Sequence, residues 1–351
     1  VRPLTWEETV EEYGRLVEDA LRARFASIRR EGEAYHPYIG GLYTSLEEYV
    51  SRRGMRLASF SAYLTYKEYG GVVDDRIRAV CTGLELYRHS ILVHDDLVDR
   101  DEARRGGRAF HKLIAERYDD RLGEGVAVFM GNALFALAQE AVLNSGFDAS
   151  KAGQVAALMA EGYRRVNESQ VLDLLFEYRE PSLDEWHVMA SRRAASLFTL
   201  ALKTGGILAD ASSLDLALLE EAGVHMGYSF DIQDDIIDTF ATEEQYGRAP
   251  GGDLAQGKRP LHVIHALQRA SEEDRAFLAK VRGEKPMPLE SLEHVRSIIR
   301  ETGALDAAKN ASKKHAERAK ALIAKTGLGH DAKRLFDALI TYVEESLEWY
   351  R

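Results

Sequence analysis

"SILVHDDLVDRDEARRG", residues 90–106, sets five large apolar side chains among five acids and three arginines. If the segment is helical, Asp95, Asp96 and Asp99 stand at i, i+1 and i+4 and share nearly one face. Carboxylates so placed repel one another. Their neighbours are mostly large apolar residues, with Arg100, at i+4 from Asp96, as the single Lys or Arg one turn away of the kind that exposed helices carry. Desolvating several carboxylates without cations is prohibitive, so something positive must join them.

The spacing returns at "YSFDIQDDIIDTF", residues 228–240, where Asp234, Asp235 and Asp238 repeat it and Asp231 extends it one turn back. One acidic cluster reads best as a solvated helix face. Two clusters, each set among apolar residues, favour hard divalent cations, and Mg²⁺ takes a few carboxylates together with phosphate oxygens and water. The expectation is a diphosphate held with metal between two facing helices. Arg104 and Arg105 follow the first cluster, and Lys258 and Arg259 follow the second. Guanidinium groups grip phosphate bidentately and keep their charge.

The rest of the chain agrees with a helical reading. Apolar residues three and four apart recur in "LTWEETVEEYGRLVEDALRARFASI", "AALMAEGYRRVNESQVLDLLFEY" and "LFDALITYVEESLEWY", and only seven prolines interrupt 351 residues. No alternating run suggests a strand. The prediction is a single all-α domain, residues 1–351, of about ten to fifteen helices. Breaks are expected at 68–71, 144–150, 179–182, 246–253 and 282–288.

Composition narrows the function. A hydrophobic fraction of 45% supplies a large core, and a net charge of −11 excludes the basic footprint of a nucleic-acid binder. One cysteine, Cys81, leaves no intramolecular disulfide and no cysteine-built zinc site. The longest uncharged stretch, Val126 to Gln139, is too short to cross a bilayer. A cytoplasmic protein without a transmembrane segment is expected.

"HDDLVDRDEARRG" resembles the first Asp-rich motif of the trans-polyprenyl diphosphate synthases of the geranylgeranyl and geranylfarnesyl type. "FDIQDDIID" with "GGDLAQGKRPL" resembles the second, and "ESQVLDL", with Gln170 and Asp173, resembles a third family stretch in which Ser169 replaces Gly. The resemblance, which runs from about residue 45 to about 270, implies an isoprenoid synthase fold, Mg²⁺, a homodimer and head-to-tail condensation. An allylic diphosphate would ionise with metal on Asp95, Asp99 and Asp234, and isopentenyl diphosphate would attack the cation. Arg104, Arg193 and Lys258 would hold the allylic diphosphate and Arg105 the acceptor's.

The acceptor half departs from the family pattern. Of the three cations in Gly-Lys-Arg-x-Arg, "GMRLA" at 54–58 keeps only Arg56, with Met55 and Ala58 in the other two places. Arg88 stands where the family has His, Arg193 and Ala194 where it has Lys-Thr, Asp231 where it has Gln, and Arg248 where it has a second Lys. Either isopentenyl diphosphate binds through other arginines, Arg52 and Arg53 among them, or the acceptor is another molecule.

One and two turns before the first motif lie Ser90 and Ile91, then Tyr87. If the prenyl tail grows along this helix, Ser90 lets it pass and Tyr87 stops it, which predicts products of C20 to C25. Tyr87 is otherwise plain core or a subunit contact. Three functions stay open: a chain-elongating prenyltransferase; a prenyl-processing enzyme with another acceptor, or a cyclase; and a non-catalytic partner of a synthase. The two complete Asp motifs favour the first.

Overall fold

The computed structural model describes residues 6–52, 54, 56–283 and 287–347. Met55, Arg53 and Trp349 lie outside the described residues. Seventeen helices occur among these residues, more than the spacing predicted. The excess comes from one-turn pieces inside the loops: α5 (Phe110–Ala115), α11 (Glu243–Tyr246) and α12 (Gly252–Gln256). Each of the five predicted breaks meets a gap between helices, with residues 68, 149–150, 246 and 252–253 belonging to the flanking helices, and residues 284–286 of the last lie outside the described residues.

The chain divides into two compact units. The first comprises residues 1–159 and 204–211. It holds α1 (Trp6–Tyr35), α2 (Pro37–Val50), α3 (Leu57–Glu68), α4 (Asp75–Val98), α5 and α6 (Asp120–Leu143). Between α4 and α5 lies a two-stranded ladder absent from the sequence reading, β1 (Ala103–Arg104) paired antiparallel with β2 (Gly107–Arg108).

α4 is the central rod of this unit. Asp74 caps its N-terminus by accepting the Arg76 N–H at 3.0 Å, and it packs against α6, α3 and α1. Contact with α6 is close at Gly83, where a Cβ would come within 2.9 Å of the Ala138 carbonyl oxygen. His94, next to the first motif, faces α6 as well: its Nε2 stands 3.1 Å from the Val128 carbonyl, against Gly131.

Among the described residues, α6 alone is long and apolar enough to cross a membrane. The helix extends beyond the uncharged run Val126–Gln139 at both ends. Its buried stripe, including Val126, Met130, Leu134 and Leu137, serves the contacts with α4 and α5.

The second unit comprises residues 160–203 and 212–349. α7 (Ala149–Phe176) and α9 (Phe198–Leu208) run unbroken from one unit into the other. α8 (Leu183–Ala195), with a capping box between Ser182 and Glu185, and α16 (Ala304–Lys325) pack on the 28-residue α10 (Ser213–Phe240). Phe176, Trp186, Met189, Ile232, Ile236 and Ile264 form one core cluster. A second gathers Val263, Leu278, Leu292, Val295 and Ile298 from α13 (Leu261–Arg269), α14 (Glu272–Lys280) and α15 (Leu289–Glu301). α17 (His330–Glu345) closes the chain against α16.

Candidate active site

In the first unit the acidic motif occupies the last turn of α4, with Asp99 as C-cap. This is the electronegative end of the helix dipole, where carboxylates are disfavoured unless cations reach them. The β1–β2 ladder brings one. Arg105 (φ 50°) and Gly106 (φ 75°) turn the chain in the left-handed region, the twist that suits a two-residue hairpin. The turn folds Arg104 back onto α4. Its Nε donates to Asp96 Oδ1 at 2.5 Å, and its Nη2 stands 3.4 Å from Asp95 Oδ2 and 3.5 Å from Asp101 Oδ2.

The three aspartates are not equivalent. Asp96 is fully buried and also accepts the Tyr49 hydroxyl at 2.6 Å. Asp95 keeps 24% of its side chain exposed. Arg88 and Ile91, seven and four residues earlier, share its helix stripe and are half-buried. Tyr87 and Ser90 are fully buried, Tyr87 with its ring 6.3 Å from that of Phe135 on α6.

The arginines expected to meet an acceptor divide into two sets. Arg56 is committed elsewhere: its Nη1 donates to Glu85 Oε2 at 2.6 Å, and its side chain is 3% exposed. Arg52 is a brace for the hairpin, bonded to Glu48 and to the carbonyls of Arg104 and Arg108 at 3.0 and 2.7 Å. Arg105 lies against Gly54 with its Nη1 3.4 Å from His89 Nε2. Burial, then the Arg105 charge, pushes the His89 imidazole down to about 3.

In the second unit, α10 presents Asp231, Asp234, Asp235 and Asp238. Arg193 from α8 lies among carboxylates, with Asp231 at 3.2 Å, Asp173 of α7 at 3.7 Å and Asp235 at 3.8 Å. Gly251 and Gly257, both in the left-handed region, fold "GGDLAQGK" over Asp238. The Asp253 N–H donates to Asp238 Oδ2 at 3.2 Å, and the Lys258 ammonium stands 3.4 Å from Asp253 and 3.8 Å from Asp173. Arg248 hydrogen-bonds the Tyr246 hydroxyl and covers its ring. Gln170, on α7, is half-buried.

Four carboxylates, Asp173, Asp231, Asp235 and Asp253, thus stand within 4 Å of two cations, Arg193 and Lys258, and Asp234 and Asp238 lie on the same helix as Asp231 and Asp235. Asp235 Oδ2 and Asp238 Oδ1 are buried with no hydrogen-bond donor. Burial, followed by the charge of Asp253, raises Asp238 to about 8. Asp235 is also raised, by burial and against the pull of Arg193. Burial opposes ionisation of Asp253 too, but Lys258 and Arg248 outweigh it and hold its carboxyl low.

Oxygen donors in excess, two of them without a hydrogen-bond donor, fit a hard divalent cation. Among the described residues no three acidic, His or Cys side chains converge into a closed metal cage. Any ion held here must draw most of its shell from water or a ligand, as Mg²⁺ does beside phosphates.

Sequence reasoning missed Tyr49, Glu85 and Asp253. Asp253 had a signal in its place between two glycines and five residues before Lys258; Tyr49 and Glu85 had none.

A family model described as polyprenyl synthetase matches residues 40–301. A short chain isoprenyl diphosphate synthase of Methanothermobacter thermautotrophicus is 31% identical over 277 residues, 79% of either chain. A geranylfarnesyl diphosphate synthase of Aeropyrum pernix is 26% identical over 85% of this chain and 92% of its own. In fold the chain is similar to a crystal structure of geranylgeranyl pyrophosphate synthase from Corynebacterium glutamicum, complexed with isoprenyl diphosphate and magnesium. That likeness has a TM-score of 0.89 at 20% identity, over 96% of this chain and 99% of the other. Two Asp-rich segments with trailing cations, on an all-α frame matched over most of its length, place this chain in the polyprenyl synthetase family.

Proposed function

We propose that this trans-prenyltransferase condenses an allylic diphosphate with isopentenyl diphosphate, head to tail, and releases a prenyl diphosphate of C20 to C25. The observation that carries the reading is the surplus of buried carboxylate around α10, including the oxygens of Asp235 and Asp238 that have no hydrogen-bond donor. Such a site calls for metal.

Mg²⁺ held by Asp95, Asp99 and Asp234 would supply positive charge to a leaving diphosphate. The chain's own part is to bind and orient. Arg104, Arg193, Arg248 and Lys258 take the allylic diphosphate, exchanging carboxylate partners for phosphate oxygens. The allylic C–O bond breaks with its electron pair going to the diphosphate. The double bond of isopentenyl diphosphate then attacks the allylic carbon, and a proton leaves the adjacent carbon for the departing diphosphate, so no side-chain base is needed. Asp96 acts through Arg104, which it positions. Asp231 and Asp173 do the same for Arg193, and Gln170 lines the allylic side.

Arg105 and Arg88 serve the acceptor. With Arg56 bound to Glu85 and Ala58 in place of a cation, the acceptor site has fewer free charges than the family pattern. This favours, as second reading, an acceptor other than isopentenyl diphosphate. Both units belong to one catalytic domain in this reading, since α7 and α9 run through both. The enzyme acts in the cytoplasm as a homodimer. Support for the dimer is the apolar outer face of α6, where Phe129 is 73% and Val128 42% exposed.

Incubation with Mg²⁺, isopentenyl diphosphate and allylic diphosphates of increasing length, read by product size, tests both readings. Elongated products establish the first. Consumption of the allylic substrate without elongation removes it in favour of the second, and no turnover with any allylic substrate removes both.

A further inference from the structure

Away from the acidic motifs, α10 and α16 are joined by three successive side-chain pairs. Glu221 accepts Arg318 Nη2 at 2.6 Å, His225 Nδ1 lies 2.7 Å from His315 Nδ1, and the hydroxyls of Ser229 and Ser312 are 2.9 Å apart. The residues fall at i, i+4 and i+8 on α10 and at i, i−3 and i−6 back along α16, so one helix face meets the other. The outer pairs fix the spacing of the two helices at the histidines.

The imidazoles are also fixed in orientation. Tyr228 stacks on His315 with ring centroids 4.5 Å apart and planes 13° from parallel. His225 Nε2 points toward Glu221 Oε1 at 4.0 Å. In the tautomer with the proton on Nε2, toward that carboxylate, the His225 Nδ1 lone pair turns toward His315. Both rings are half-buried, and burial holds both in the neutral form that binds metals, His315 down to about 4.

We propose that His225 and His315 are the two protein ligands of a transition-metal site, for Cu²⁺, Ni²⁺ or Zn²⁺, that clips α10 to α16. Two nitrogens about 2.0–2.1 Å from one ion at a tetrahedral angle lie about 3.3 Å apart, so the pair need open by only about 0.6 Å. His315 moves its proton to Nε2 as the ion enters, and Glu221 acts as the carboxylate behind a metal-bound imidazole. Water completes the shell. The site is independent of the proposed reaction: it uses nitrogen donors, which hard Mg²⁺ avoids, and it prefers Cu²⁺ over Ni²⁺ and Zn²⁺.

The test titrates the whole protein with each metal alone, in millimolar Mg²⁺ to occupy the acidic motifs. Saturating Ni²⁺ should raise the melting temperature by roughly 2–5 °C. One equivalent of Cu²⁺ should give a paramagnetic resonance spectrum split by two nitrogens. His225→Gln and His315→Gln should each abolish the thermal shift and one nitrogen coupling. An oxygen-only spectrum in the wild type, or variants that titrate like the wild type, would overturn the proposal. The wild-type spectrum decides by itself if a variant does not fold.

Discussion

The Tyr49 hydroxyl donates to Asp96 Oδ2 at 2.6 Å while Arg104 Nε takes the other oxygen at 2.5 Å, so both faces of this buried carboxylate are occupied by protein. Asp95, one residue earlier, remains partly exposed. The two should therefore respond differently to substitution. Tyr49→Phe removes a hydrogen bond to a charged group and should cost about 1.5–3 kcal/mol, seen as a lower urea midpoint. Asp95→Asn takes a negative charge from a helix C-terminus and should leave stability within about 0.5 kcal/mol. Its turnover should fall by about 100-fold or more if this carboxylate serves the leaving group. Equal turnover in Asp95→Asn and the wild type would remove Asp95 from the metal set.

Glu85 and His89 set an acid limit on the first unit. Glu85 is buried, yet Arg56 keeps it ionised against burial and lowers its pKa. Its contribution is present above the unfolded carboxylate value near 4.5 and is lost as pH falls through the lower folded value. His89 is neutral when folded, with a pKa of about 3 against 6.5 unfolded. Its contribution is whole above pH 6.5 and drains away as pH falls from 6.5 toward 3. His89→Gln should flatten the stability profile over that window by up to about 1.4 kcal/mol per pH unit. Glu85→Gln strands Arg56 and should cost about 3–5 kcal/mol at neutral pH. An unchanged acid limb in His89→Gln would show that the imidazole titrates normally.

What was legible in the sequence followed from local spacing. The helix breaks, the stripe on α10 and the position of Lys258 all depend on residues near one another in the chain. What was hidden depends on partners far apart. Arg56 looks like a free cation until Glu85, on another helix, is seen beside it. Tyr49 lies 47 residues from Asp96 and carries no charge to betray its role. The β1–β2 ladder has two residues per strand, too few for any alternation to show.

Metal dependence should appear in stability as well as turnover. Around α10 burial and neighbouring charge oppose the ionisation of Asp235 and Asp238 in the absence of a divalent ion. Mg²⁺ with inorganic pyrophosphate should stabilise the protein, by about 2.7 kcal/mol at a hundredfold excess over the dissociation constant. A chelator should reverse the shift and abolish turnover. A melting temperature indifferent to Mg²⁺ and pyrophosphate together would argue that the acids are structural.

Phe129 tests the dimer. A ring 73% exposed on an apolar helix face is ordinary at a subunit interface and a liability elsewhere. Phe129→Asp should shift the sedimentation mass from two chains to one, with a helical spectrum unchanged because the site is exposed. A wild-type protein that sediments as a monomer would refute the homodimer outright.

Tyr87 tests product length. It is fully buried two turns before Asp95 on α4, with Phe135 of α6 at its ring. If it stops the growing tail, Tyr87→Ala should shift products upward by one or more five-carbon units, read by chromatography of the dephosphorylated alcohols. The truncation should also destabilise the protein by about 3–5 kcal/mol, so the assay belongs well below the melting temperature. Packing alone predicts the stability loss with product length unchanged. A longer product is the outcome that separates a floor for the tail from ordinary core.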